Sequence, residues 1–219
     1  MRSFVKEYVK GCGICQQFKI DRSPSHPSFM PIAGPTTTRP FANCSMDMIT
    51  DLPQVKQHDG KTLDAILVMV DHSLTKGVII TLCSKTLTEE GAAELLLDNL
   101  YRRFGLPDSI ISDRDPRFAA KSFQELLRLL GVKSKMSTAY RPQTDGTTEH
   151  FNQEIEAYVL IYCSSHPETW HKKIGTMEFT HNNRRHADRT KTSFELIFGS
   201  SPVAIPTSFE NTKFPSVEE

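Results

Sequence analysis

The sequence predicts an α/β domain in which one mixed five-stranded sheet carries helices on its faces. Three observations lead there. Short apolar runs follow one another at residues 45–52, 64–70 and 78–83, separated by polar or glycine-containing breaks, as strands of a meander would be. Residues 88–104 then show helical spacing. Beyond them, short apolar stretches alternate with helical ones, the order that parallel strands and crossover helices produce.

The first two sequential strand pairs are expected to be hairpins. In the segment 88–104, Ala92, Leu95, Leu96 and Leu100 share a helix face, Thr88 with Glu89 and Glu90 supplies an N-terminal signal, and Gly105 a stop. Residues 109–112 read as a fourth strand, 121–130 as a second helix stopped by Gly131, and 132–136 as a fifth strand. A loop follows at 137–146. The segment 147–165 is a long helix that must end before Pro167, and 170–182 forms another that closes the domain. Outside this body, residues 1–22 mix apolar and basic residues around a cysteine pair, 23–40 are rich in Pro, Ser and Thr and read as a linker, and 201–219 read as a tail. The folded core is thus expected over 41–200.

Composition narrows the function. The 219 residues are 38% hydrophobic, enough for one substantial core. No apolar run is long enough to span a bilayer, and residues 1–19 are too charged for a secretory signal, so a soluble intracellular protein without a membrane partner is expected. Five cysteines, of which only Cys12 and Cys15 are closely spaced, argue against a disulfide framework. The formal net charge is zero, so any nucleic-acid site must rest on local patches. Arg102, Arg103, Arg114, Arg117, Lys121, Lys133 and Lys135 make the middle of the chain locally basic; phosphate binding and scattered surface charge explain them equally well.

Three carboxylates stand out. Asp47 interrupts an apolar strand, where desolvation makes a charge expensive. Asp113 ends the fourth strand, at the edge where open sheets place their ligands. Glu149 lies in the first turn of the long helix. Each has a structural reading: a strand-edge charge, a turn former before Arg114-Asp115-Pro116, and a helix-dipole partner. If the helix crosses the sheet, the three converge, and hard oxygen donors in that number suit two magnesium or manganese ions in phosphodiester chemistry. Asp71, Asp115 and Asp145 rank below them, because each sits where Asp commonly shapes a turn.

Thirty-five residues separate Asp113 from Glu149. The strings SMDMITDLP (45–53), ILVMVD (66–71), GLPDSIISDRD (105–115) and STAYRPQTDGTTE (137–149) resemble the integrases of gypsy-type LTR retrotransposons, relatives of retroviral integrases. The resemblance covers nearly the whole chain and implies a ribonuclease-H-like fold. It further implies a polynucleotidyl transferase that trims element DNA ends and transfers the freed strand to target DNA. Asp47, Asp113 and Glu149 would bind two Mg2+ (or Mn2+) ions. DNA and further copies of the chain would be its partners, and the nucleus, or a cytoplasmic particle before it, its place of work. Arg141, Thr147 and His150 stand where many relatives have His, Gln and Arg, departures that touch DNA contacts more than the carboxylates.

By the same resemblance the loop 137–146 is a DNA-contacting loop with Tyr140, Arg141 and Gln143 as contacts, although a plain strand-to-helix connection would look similar. Asn152 and Gln153, three and four residues after Glu149, are further candidates. Cys12 and Cys15 resemble half of a His-His-Cys-Cys zinc module whose upstream histidines are absent, so zinc is not expected to bind stably. His181 and His186, five apart, make a poor metal pair and are expected to be structural or solvated. The incomplete zinc module and the lack of a basic C-terminal segment favour a rival reading, a domesticated or decayed fragment that binds DNA or partners without catalysis. The three carboxylates oppose it. A plain nuclease on the same fold is a third reading.

Overall fold

The run Ala65–Asp71 is apolar at six of its seven positions, and all seven are buried, which requires a strand covered on both faces. The computed structural model, which describes residues 2–13, 39–57, 60–136, 146–185 and 189–204, shows this arrangement. A short helix, α1 (Arg2–Gly11), is followed by β1 (Asn43–Ile49), β2 (Val55–Lys56), β3 (Thr62–Leu63), β4 (Ala65–Asp71) and β5 (Val78–Cys83). Helix α2 (Glu89–Leu96) continues through a π-helical turn, Leu97–Tyr101, and a last α turn, Arg102–Phe104. Then come β6 (Ser109–Ser112), α3 (Pro116–Ala119), α4 (Lys121–Leu129), β7 (Lys133–Met136), α5 (Gly146–Cys163), α6 (Trp170–Asn182) and α7 (Ser193–Phe198).

The main sheet runs β5-β4-β1-β6-β7. β4 pairs antiparallel with β1 and β5, whereas β1 pairs parallel with β6, and β6 with β7. Side-chain alternation along β4 builds two cores. Ala65, Leu67 and Met69 pack with Ala92, Leu96, Phe123 and Leu127 from α2 and α4. Ile66, Val68 and Val70 pack with Phe151, Ile155, Trp170 and Ile174 from α5 and α6. The predicted mixed sheet with helices on both faces is therefore present.

Several boundaries differ from the sequence reading for local reasons. β1 stops at Ile49 rather than residue 52, because Asp51 takes a left-handed conformation (φ 63°) and leads into the small β2–β3 hairpin. Residues 88–104 form one rod, capped by the Thr88 hydroxyl and stopped at Gly105 (φ 79°). Its π turn occurs where the Asn99 carboxamide donates to the Leu95 carbonyl, the acceptor an α ladder would assign to the Asn99 N–H. Helices α1, α3 and α7 were not expected. α3 is capped by Asp115 with Pro116 in its first turn, and α7 by a Thr192/Glu195 capping box.

The outer edge of β5 is closed by side chains instead of a sixth strand. The Asn182 carboxamide accepts from Val78 N–H and donates to Val78 C=O, both at 2.9 Å, and Glu178 accepts from Ile80 N–H at 2.9 Å. These bonds satisfy backbone groups that an open edge would offer to another chain. Trp170, fully buried, donates from Nε1 to the Pro53 carbonyl at 2.7 Å and ties α6 to the segment after β1.

Candidate active site

Alternation along β1 sends Cys44 and Met46 into one core and Ile49 into the other, so Asp47 lies on the face covered by α5 and α6. On the parallel neighbour β6, Ser112 stands opposite Met46. Asp47 and Asp113 are each the next residue after that last pair, where the β1–β6 ladder ends. Asp47 is half-buried, and its Oδ1 accepts from Met48 N–H at 2.8 Å. Asp113 is exposed, and its Oδ1 accepts from Asp115 N–H at 3.0 Å.

Helix α5 packs on this face through Phe151 and Ile155. Between them, Asn152 Nδ2 donates to Asp47 Oδ2 at 2.5 Å. Position 149 falls one turn earlier on the same side of α5, while the side chains of residues 146–150 lie outside the described set. Asn152 Oδ1 is buried and has no hydrogen-bond partner among the described residues. A buried, unsatisfied amide oxygen beside a carboxylate is costly unless something electropositive occupies the space. Two carboxylates and this oxygen are hard donors of the kind Mg2+ and Mn2+ prefer. Among the described residues alone, no three His, Cys, Asp or Glu side chains gather into a metal site.

The other sequence candidates divide clearly. Gln153 is exposed, and Asn152 gives one of its two amide N–H donors to Asp47. Tyr140, Arg141, Gln143, Asp145, Cys15 and His186 lie outside the described residues. Cys12 follows α1 and is half-buried; Cys44, Cys83 and Cys163 are buried free thiols. Asp71 is buried and shapes a turn, accepting from Ser73 N–H and Thr75 N–H at 2.8 Å and from the Thr75 hydroxyl at 2.7 Å.

Asp115 also serves its turn. Its carboxylate accepts from Arg117 N–H (2.9 Å), Nε (2.6 Å) and Nη2 (2.5 Å), while Arg117 Nη1 donates to the Lys85 carbonyl at 3.0 Å. Hydrogen bonds from Arg117 hold the Asp115 carboxyl below the usual range. Arg117 is thus committed inside the protein rather than offered to phosphate, and Arg102 pairs with Asp98 at 3.4 Å. Arg103, Arg114, Lys121, Lys133 and Lys135 remain exposed.

Sequence reasoning missed a network beneath α5. Glu154 accepts from Arg184 through Nη1 and, at 2.8 Å, Nη2, and meets His181 Nδ1 at 3.1 Å. Buried His181 also approaches the Lys76 carbonyl through Nε2 at 3.3 Å, and the Phe151 ring packs against it with centroids 4.5 Å apart. Burial pushes the Glu154 carboxyl up, but hydrogen bonds from His181 and Arg184, and the Arg184 charge, outweigh it and hold the group at about 2. The network joins α5 to α6 and to the β4–β5 turn.

Residues 37–142 match the family model described as the integrase core domain. Over 207 residues, 94% of this chain, the sequence is 34% identical to the transposon Tf2-3 polyprotein of Schizosaccharomyces pombe, and to the same extent to the Tf2-4 polyprotein. The chain spans about 15% of the length of those polyproteins. Among solved structures, the HTLV-2 integrase catalytic core domain in complex with magnesium superposes with a TM-score of 0.52 at 20% identity, over 73% of this chain and 97% of that one. A simian T-cell lymphotropic virus intasome in complex with a PP2A regulatory subunit, B56 gamma, gives 0.59 at 20% identity, over 94% and 69%. At such identities these structures establish the fold, the ribonuclease-H-like fold of retroviral integrase cores.

Proposed function

We propose, for a chain that carries an integrase core domain over residues 37–142, that it is the catalytic domain of a retrotransposon integrase. It would trim element DNA ends with water and then join the freed 3′ hydroxyl to target DNA. The supporting observation is that β1 and β6 pair in parallel up to Met46 and Ser112, the residues immediately before Asp47 and Asp113, while the helix that bears Glu149 is bonded to Asp47 through Asn152. Asp47, Asp113 and Glu149 would hold two Mg2+ or Mn2+ ions. Such a pair would supply activation of the attacking oxygen and stabilisation of the leaving one. Asn152 fixes the carboxylate of Asp47, so the group is oriented before any DNA arrives. Tyr140, Arg141, Gln143, Asn152 and exposed Gln153 would contact DNA, and the exposed lysines and arginines would meet phosphates. No protein nucleophile is needed. DNA ends, target DNA and further copies of the chain are the proposed partners, in the nucleus, with residues 41–200 as the catalytic unit.

The test incubates the chain, and a longer segment of its polyprotein, with labelled duplexes bearing retroelement ends and Mg2+ or Mn2+, beside Asp113→Asn. Trimmed or joined DNA that requires metal and disappears in the variant, with DNA binding largely retained, is the expected result. Binding without metal-dependent product would favour the non-catalytic module. Cleavage without joining would identify a plain nuclease.

A further inference from the structure

Among the described residues β6 pairs with its neighbours as far as Ser112, and that ladder does not hold residues 113–115. What holds them is the turn into α3. Phe118 of α3 is fully buried, with its ring 5.9 Å from Phe123, and its carbonyl accepts from Gln124 Nε2 at 2.6 Å. Asp115 caps the helix, and its N–H reaches back to Asp113 Oδ1. Arg117 grips Asp115 with a two-pronged fork and the Lys85 carbonyl with its remaining nitrogen, tying the turn to the segment that follows β5.

This fork is expensive to place. The side chains of Arg117 and Asp115 are 16% and 15% exposed, and at such burial desolvation offsets part of the attraction between the charges. A cap alone would hold α3 more cheaply, and what the pair adds is geometry. A bidentate fork fixes both the plane and the direction of its carboxylate partner. The guanidinium also lies close enough to Asp113 for the two charges to interact. Asp115 therefore has a second task, to hold that cation away from the carboxylate proposed to bind metal.

We propose that Asp115 and Arg117 are positioning residues for Asp113: their fork sets the turn that presents the Asp113 carboxylate, and Asp115 keeps the guanidinium from occupying it. The inference rests on the metal-binding reading of Asp113 given above. In Asp115→Asn the cap is retained, since Asn caps as well as Asp, but the counter-charge is lost and the fork is released toward Asp113.

Mn2+ binding, read from the spin-resonance signal of the free ion well below the melting temperature, tests the proposal. Asp115→Asn should weaken binding by about tenfold, at the lower end of what outer-shell partners of metal ligands contribute. Asp115→Asn with Arg117→Gln, which removes the freed cation, should bind more tightly than Asp115→Asn alone. In the joining assay Asp115→Asn should lose kcat with little change in KM for DNA. A purely structural pair would lower the melting temperature and leave Mn2+ affinity of the folded protein unchanged. Affinity within twofold of the parent in Asp115→Asn, or no recovery in the double variant, overturns the proposal. Should Asp115→Asn not fold, Arg117→Lys, which keeps the charge and loses the fork, carries the test, with at least threefold weaker binding expected and unchanged binding overturning it. Asp113→Asn separates the two levels. If it leaves Mn2+ binding intact, the metal reading of Asp113 itself fails; if it abolishes binding while Asp115→Asn does nothing, only the positioning role fails.

Discussion

Replacing Glu154 with Gln removes the charge at the centre of the network that joins α5 to α6, and its effect on stability should depend on pH in a defined direction. The Glu154 carboxyl is held at about 2 against an ordinary 4.5. Because the unfolded chain binds that proton more readily, the stabilisation is fully present above pH 4.5 and is lost as pH falls toward 2. At full strength the gap corresponds to roughly 3 kcal/mol. The side chains are 23% exposed for Glu154 and 43% for Arg184, so solvent screens the pair and leaves about 1–2 kcal/mol. Urea unfolding followed by circular dichroism, from pH 7 down to pH 3, should therefore show Glu154→Gln less stable by that amount at neutral pH, with the gap narrowing below pH 4.5. A gap that stays constant over this range, or is absent at pH 7, would refute the reasoning.

Two further predictions concern the β5 edge. Asn182→Leu leaves the N–H and C=O of Val78 without their partners, which should cost about 2–4 kcal/mol in urea unfolding and produce concentration-dependent association on size exclusion, as an opened strand edge would. Burial pushes the Glu178 carboxyl up, so its folded state binds a proton more readily than the unfolded chain, and stability falls as pH rises through its raised value. Glu178→Gln, which can still accept from Ile80 N–H, should have a higher urea midpoint than the parent at pH 7 and an equal one at pH 4.

The strands were legible because long buried strands are apolar throughout, and β4 has only Asp71, at its end, as an exception. The end of β1 was not, since a left-handed Asp51 looks in sequence like any other polar residue. Helices α3 and α7 did carry signals, Asp115-Pro116 and the Thr192/Glu195 box, but segments of four and six residues offer too little periodicity to register. At the site, a carboxylate inside an apolar strand marked Asp47. The partner it found, Asn152, depends on how α5 is rotated over the sheet, which follows from packing of Phe151 and Ile155 and cannot be read from spacing. Arg117 was counted among residues suited to phosphate because charge is visible in sequence whereas an internal partner is not.

The central claim is that Asp47, Asp113 and Glu149 share a pair of divalent ions, and crystals of the chain grown with Mn2+ test it most directly. The account predicts two anomalous-scattering peaks about 4 Å apart, contacted by the carboxylates of Asp47, Asp113 and Glu149. Peaks elsewhere, or a Glu149 carboxylate more than roughly 10 Å from the two aspartates, too far for side-chain motion to close around a pair of ions, would contradict it.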